Sequence, residues 1–218
     1  MLGPTWSNCI STLTVCLSRR RPRVRVPSLP PKSRTTHSSL STSASAIRPD
    51  IDSERIGILG ISLGGYYAPR AAAFEKRIKA CAAWTGVWDY GLLWKRRWET
   101  QTKNISVGFF QLKWIMGTKT MEEALERVQQ YKLEGVTQHL TQPLPMLHGE
   151  HDPAIPLEQA QAAFAAAGSS DKQLRIFSLA EGGAEHVSLD EPDASRQLVA
   201  DWFAQHFDTL DEHGRTRS

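Results

Sequence analysis

A chain of 218 residues with 40% hydrophobic and 22% charged residues has enough apolar side chain for a core, which excludes disorder throughout. No run approaches the roughly 18 apolar residues of a membrane span. Cys9, Cys16 and Cys81 have neither metal-ligand spacing nor the number for a disulfide framework, so a reducing compartment is expected. The net charge of +3 joins two unlike parts: residues 1–48 hold eight basic residues and no acid, whereas residues 49–218 hold the other 18 basic residues and all 23 acids.

Residues 1–48 also contain 16 Ser or Thr and five Pro. They show no helical or strand periodicity over a useful length. Ile10 to Leu17 is their one apolar stretch, short and interrupted by threonines. Arg19 to Arg21 follow that stretch, the reverse of the order in a secretory signal. An acid-free, Arg- and Ser-rich composition fits a mitochondrial transit peptide or a nucleic-acid-binding arm. The plainer reading is a disordered leader or an alternative gene start. On that reading no nucleic-acid partner is expected and the location is cytoplasmic, with the mitochondrion as the alternative.

From Asp50 the texture changes. Arg55 to Gly60 is a short apolar run ending in glycine and reads as a buried strand. Tyr66 to Ala73 reads as the helix after it, and Ile78 to Trp84 as a second buried strand. Thr120-Met121-Glu122-Glu123 is a capping box that opens an amphipathic helix to about Leu133. Pro145 to Leu147 is a third strand, Leu157 to Ala167 a helix stopped by Gly168, and Leu174 to Leu179 a fourth strand. Ala194 to Phe207 closes the domain as a helix with Leu198, Trp202 and Phe203 on one stripe; residues 211–218 are a tail. Alternating strands and helices over 49–210 predict an α/β fold: about four parallel strands with flanking helices. Residues 85–119 interrupt the rhythm and carry Trp88, Tyr90, Trp94, Trp98, Phe109, Phe110 and Trp114. An aromatic-rich insert over a pocket is expected, with Trp88, Tyr90 and Trp94 as candidate pocket residues; ordinary helix-packing aromatics are the alternative.

Gly60-Ile61-Ser62-Leu63-Gly64 places a serine between a predicted strand and a predicted helix. A sharp turn there lifts the hydroxyl above the sheet, small flanking residues let helix and strand approach, and the Leu63 backbone N–H sits where an oxyanion is stabilised. A serine hydroxyl needs a base, and the base an orienting carboxylate. Asp152 follows the third strand and His186 the fourth, in the chain order Ser, acid, His that such an elbow uses. Glu150 is the rival acid and His151 the rival base. His148 is expected to pack or hydrogen-bond at the strand end, and His37, His139, His206 and His213 to lie on the surface. No His pair has helical metal-ligand spacing and no Lys follows the glycines as in a phosphate loop, so neither a metal nor a cofactor is expected.

The stretch from Arg55 through Tyr67, the Leu147-His148-Gly149 and Asp152 segment, and Gly182 through His186 resemble the α/β-hydrolase superfamily. The branch they resemble is the FrsA-like group, with 2,6-dihydropseudooxynicotine hydrolase and the fungal hydrolases that shorten polyketide pigments. The resemblance covers about residues 48–207. It implies the C-terminal half of that fold, a small-molecule substrate, and hydrolysis of a C–C bond in a β-diketone or polyketide-like intermediate of secondary metabolism. An esterase or thioesterase of the same fold is the alternative. It also implies catalytic roles for Ser62, Asp152 and His186. Dienelactone hydrolase is a more distant relative with Cys where this chain has Ser62. The strands that precede the elbow in the superfamily are not evident before Arg55. The sequence therefore reads as N-terminally truncated, with the loop for a second oxyanion donor missing and the edge of the elbow strand unpaired and prone to self-association. An inactive fragment, or a binding module with a basic arm, are the competing readings.

Overall fold

The computed structural model describes residues 12–18, 22–24, 51–101 and 108–215. Two strands fall where none is expected: β1 (Thr12–Ser18) and β2 (Pro22–Val24). The long strand β3 (Ile51–Ile61) follows. β1 runs antiparallel to β3, from Thr12 opposite Gly60 to Cys16 opposite Ile56, with an irregularity before Ser18 meets Ile51; β2 pairs antiparallel with β1. The expectation of an unpaired elbow-strand edge is thereby corrected, as is the absence of strand structure at residues 12–18 and 22–24. The physical reason is in the sequence: Leu13, Val15 and Leu17 alternate with Thr12, Thr14, Cys16 and Ser18. The threonines that look like interruptions are the polar half of a period-two pattern. The rest of 1–48 lies outside the described residues.

The four expected parallel strands are present. β3, β4 (Ala80–Trp84), β5 (Leu144–Gly149) and β6 (Lys172–Phe177) form one sheet in the order β2-β1-β3-β4-β5-β6. Ile56 to Gly60, and all of β4 and β5, are buried, as strands covered on both faces must be. Helices α1 (Gly64–Phe74) and α5 (Leu157–Ala166) cover one face, where Ile58, Cys81, Ala83, Leu144 and Met146 meet Ala68, Ala72, Ala160 and Ala163. The alternate residues Leu59, Ala80, Ala82, Trp84 and Leu147 face Val199, Phe203 and Phe207 of α6 (Pro192–Arg215). Alanines dominate β4 because two helical layers close on it. α6 runs past its expected end at Phe207 into the segment expected to be a tail.

The insert is a small helical cap with a core of its own. α2 (Tyr90–Glu99), α3 (Phe109–Met116) and α4 (Met121–Val128) enclose Trp94, Leu112, Met121, Ala124 and Val128. Asp89 caps α2 by accepting from the Leu92 N–H at 2.8 Å. Thr120 caps α4 by accepting from the Glu123 N–H, while Glu123 reaches back one residue further than expected, to the Lys119 N–H. α4 stops at Val128 rather than near Leu133 because the chain beyond it has partners elsewhere. Tyr131 O accepts from the Tyr90 N–H, and the Leu133 N–H donates to Trp88 O. Those bonds, with Gln159 Oε1 accepting from the Trp88 and Asp89 N–H groups, fasten the cap's base to the sheet domain. Among the described residues no helix is long and apolar enough to cross a membrane.

Phe203 is 4% exposed, and its ring lies 2.5 Å from the point where a side chain on Gly57 would begin. Phe203→Ala is expected to cost about 3–5 kcal/mol of stability, measured by urea unfolding. A loss below about 1 kcal/mol would contradict the role given to α6.

Candidate active site

Ser62, Asp152 and His186 stand on the turns and loops that follow the C-terminal ends of β3, β5 and β6, the side where ligands bind in open α/β sheets. β3 ends at Ile61, and Ser62 turns the chain into α1 with φ of 57°. A non-glycine residue in that left-handed region needs support. The Ser62 N–H donates to Trp84 O at 2.9 Å, and Ser62 O accepts from the Gly65 N–H at 2.8 Å. The glycines make the turn sterically feasible. A Cβ on Gly60 would lie 1.9 Å from Gly64 O, and one on Gly65 would lie 1.7 Å from Thr85 O. Leu63 caps α1, and its N–H donates to no backbone carbonyl among the described residues. It lies at the positive end of an 11-residue helix, a favourable place for a developing negative charge.

The loop after β5 carries the acid. Asp152 is 8% exposed, and its Oδ1 accepts from the N–H groups of Ala154 at 2.8 Å and Ile155 at 2.9 Å. Its Oδ2 lies 2.7 Å from His186 Nδ1. A carboxylate only accepts, so Nδ1 carries the ring proton and Nε2 is left as an acceptor. Nε2 lies 2.8 Å from Ser62 Oγ. The three side chains proposed from sequence thus form one continuous hydrogen-bonded chain across three strands.

Local strain concentrates in the loop that presents His186. Gly182 and Gly183 have φ of 83° and 82°, and Val187 and Ser188 follow the histidine at 49° and 52°. For a β-branched valine this is a genuine outlier, held only where its surroundings over-determine it. Asp190 is the clamp. Its carboxylate accepts from the N–H groups of Gly183, Ala184 and Glu185 at 2.7, 3.1 and 3.1 Å. Ser188 Oγ bonds Ser195 Oγ of α6 at 2.7 Å. A Cβ on Gly149 would lie 2.2 Å from Ala184 O, so the bare glycine is what lets the histidine loop lie against the acid loop. Burial acts to raise the Asp190 pKa, but the backbone N–H groups of Glu185, Asp190 itself, Gly183 and Ala184 outweigh it and hold the carboxyl below its ordinary value.

The rival groups are engaged elsewhere. Glu150 accepts from the Leu179 N–H, and His151 is exposed. His148 is buried and hydrogen-bonded at the strand end, as its position suggests. His139 is exposed beside Phe74, and His206 bonds Trp202 O and Asp171. His37 and the side chain of His213 lie outside the described residues. Of the three pocket aromatics, Trp88 and Tyr90 are half-buried where the cap meets α1, whereas Trp94 is 3% exposed and packed inside the cap. The elbow helix adds two residues that sequence reasoning passed over. Tyr66 and Tyr67 lie 5.4 Å apart at the first turn of α1, and Tyr66 lies 6.3 Å from Tyr131 of the cap base. Partial burial, then the neighbouring tyrosines, push the Tyr67 hydroxyl well up from its ordinary value, so the group is neutral at pH 7. Their doubling right after the glycines was the available signal. Asp190 had none, because a surface aspartate four residues past a histidine belongs to no motif.

A serine on a left-handed strand–helix turn, with acid and histidine on the loops after the next strands but one and two, defines the α/β-hydrolase fold. Within that fold the chain belongs to the prolyl oligopeptidase family, whose model matches residues 42–210. It is 35% identical over 119 residues to 2,6-dihydropseudooxynicotine hydrolase of Paenarthrobacter nicotinovorans, an overlap of 54% of this chain and 29% of that protein. It is 29% identical over 164 residues to 20-hydroxy-prefusarin hydrolase of Gibberella moniliformis, covering 62% of this chain and 39% of that one. The crystal structure of the 2,6-dihydroxy-pseudo-oxynicotine hydrolase superposes with a TM-score of 0.64 at 26% identity, covering 77% of this chain and 44% of that one. The chain therefore spans less than half the length of these relatives.

Protonating Asp190 removes its advantage as an acceptor. Because its folded pKa is depressed, the stability it contributes is present above the unfolded value near 3.8 and is lost as pH falls through the lower folded value. Asp190→Asn is expected to lower the thermal unfolding midpoint at pH 7, and the gap to wild type should close as the pH drops below the ordinary carboxylate range. A gap that stays constant with pH would remove Asp190 from this role.

Proposed function

We propose that the protein is a serine hydrolase in which Ser62 is the nucleophile, His186 the base, Asp152 the group that orients His186, and the Leu63 N–H an oxyanion donor. The observation that carries this reading is the unbroken path from Ser62 Oγ to His186 Nε2 at 2.8 Å and from His186 Nδ1 to Asp152 Oδ2 at 2.7 Å. Ser62 Oγ attacks a substrate carbonyl carbon while its proton passes to Nε2. The new oxyanion forms over the N-terminus of α1, and Asp152 stabilises the imidazolium. Collapse of the tetrahedral adduct expels a leaving group that takes its proton from His186. Water, activated by the same nitrogen, then releases the acyl group.

For the substrate we propose a β-diketone or polyketide-like small molecule. Breaking the bond between the tetrahedral carbon and the carbon that lay between the two carbonyls expels an enolate, which can leave because its charge is delocalised onto the second carbonyl oxygen, and which then takes the His186 proton on carbon. Support comes from the names of the relatives, a pseudooxynicotine hydrolase and a prefusarin hydrolase, and from the half-buried Trp88 and Tyr90 at the base of the cap, which suit a flat conjugated molecule. The proposed class is thus a carbon–carbon hydrolase, with ester or thioester cleavage on the same triad as the alternative.

Wild-type protein is expected to be labelled by a serine-directed fluorophosphonate, and Ser62→Ala to lose labelling entirely; His186→Ala should slow it by at least about 10³-fold. Labelling that survives Ser62→Ala would sink the assignment. Side-by-side turnover of a β-diketone and of an ester with the same acyl group decides between the two reaction classes.

A further inference from the structure

His148 takes no step in the reaction above, yet a polar ring is buried there. It stands next to the end of β5, two residues beyond Met146 and so on the same face of the sheet, and is 1% exposed. Its Nε2 lies 2.9 Å from Ile155 O and 4.0 Å from Asp152 Oδ2. Because a carbonyl only accepts, Nε2 bears the proton and Nδ1 is a bare acceptor. That Nδ1 is buried and has no partner among the described residues. Burial, working against the Asp152 carboxylate and the Ile155 carbonyl, lowers the pKa of the ring and keeps it neutral at pH 7. An orphaned acceptor in a core is unfavourable, and a hydrocarbon ring of similar size would avoid it. Packing therefore does not account for an imidazole at this position; its single donated bond does.

That bond leads to the acid. The Ile155 peptide whose N–H holds Asp152 Oδ1 belongs to the residue whose carbonyl is held by His148, and the Ala154 N–H holds the same oxygen. We infer that His148 is a positioning residue: its Nε2–H pins the Ile155 carbonyl, and through the 152–155 turn it sets the Asp152 carboxylate opposite His186. The inference rests on the triad proposed above. It gives the acid the support that Asp190 gives the histidine. Neither group touches substrate, and each fixes the backbone on which a reacting side chain stands.

The test measures fluorophosphonate labelling of Ser62 in wild type, His148→Phe and His148→Gln, with Ser62→Ala as the blank. Phenylalanine keeps the ring and removes the donor; glutamine offers an amide N–H near the position of Nε2–H. The expected result for His148→Phe is a maximal labelling rate lower by about 10- to 100-fold. The concentration giving half that rate should barely change, and unfolding should occur near the wild-type temperature. His148→Gln should recover most of the rate. Labelling of His148→Phe at the wild-type rate overturns the inference and leaves the triad standing. A folded His148→Gln as slow as His148→Phe, or a His148→Phe chain that does not fold, also overturns it, because the role would then be structural. Wild-type protein that takes up no label removes the triad and this inference together.

Discussion

Ser62 holds a left-handed backbone because two hydrogen bonds and one steric contact leave it no alternative. Its N–H is bound to Trp84 O, its carbonyl to the Gly65 N–H, and Gly65 itself lies against Thr85 O. Such a conformation costs on the order of 1–3 kcal/mol and survives only when its surroundings over-determine it. Here the surroundings are β4. The parallel pairing that brings Ile61 beside Trp84 also supplies the carbonyl that captures Ser62 and the residue that receives α1. Sheet register, elbow and helix docking are therefore one constraint expressed three times. The position of the hydroxyl is a property of the sheet before it is a property of the loop.

The same economy governs the charges. Asp152 and Asp190 are held mainly by backbone N–H groups, two on the first and three on the second. Peptide dipoles fixed in short turns can stabilise an anion without a long flexible cation, and they leave the remaining lone pairs of the carboxylate aimed at one place. For Asp152 that place is His186 Nδ1. The turn around Asp190 carries unusual backbone angles as well, with positive φ at Gly182, Gly183, Val187 and Ser188 around the histidine.

Much of this was legible in residue types and their order. Ser62 and Asp152 fall after apolar runs that are buried throughout, and His186 after the run that becomes β6, a strand buried fully only at Phe177. What escaped had specific causes. β1 was hidden because Thr12, Thr14 and Cys16 looked like breaks in an apolar stretch, although they are the polar positions of an alternation; of its two partners, β3 lies more than thirty residues along the chain, so no local signal announced that pairing. α4 ends early because carbonyl and amide groups at Tyr131 and Leu133 are used by Tyr90 and Trp88, a tertiary competition that helix propensity does not encode. Trp94 was expected to line a pocket, with helix packing as the alternative; both want an aromatic, and the three cap helices that close on it place it in the cap core instead. The reverse case is His148, whose burial was foreseeable but whose one-sided hydrogen bonding was not.

The separation in sequence of the two halves of the site has a consequence for synthesis. Ser62 and its histidine lie 124 residues apart, and the β3–β4 pair that shapes the elbow is complete long before His186 leaves the ribosome. Chains grow from the N-terminus and fold in that order. A nascent molecule therefore displays a formed turn with an ordinary, unactivated alcohol on it. On the triad proposed above, Ser62 gains its base only when the last loop and α6 dock, so that a partly made chain would carry no activated nucleophile.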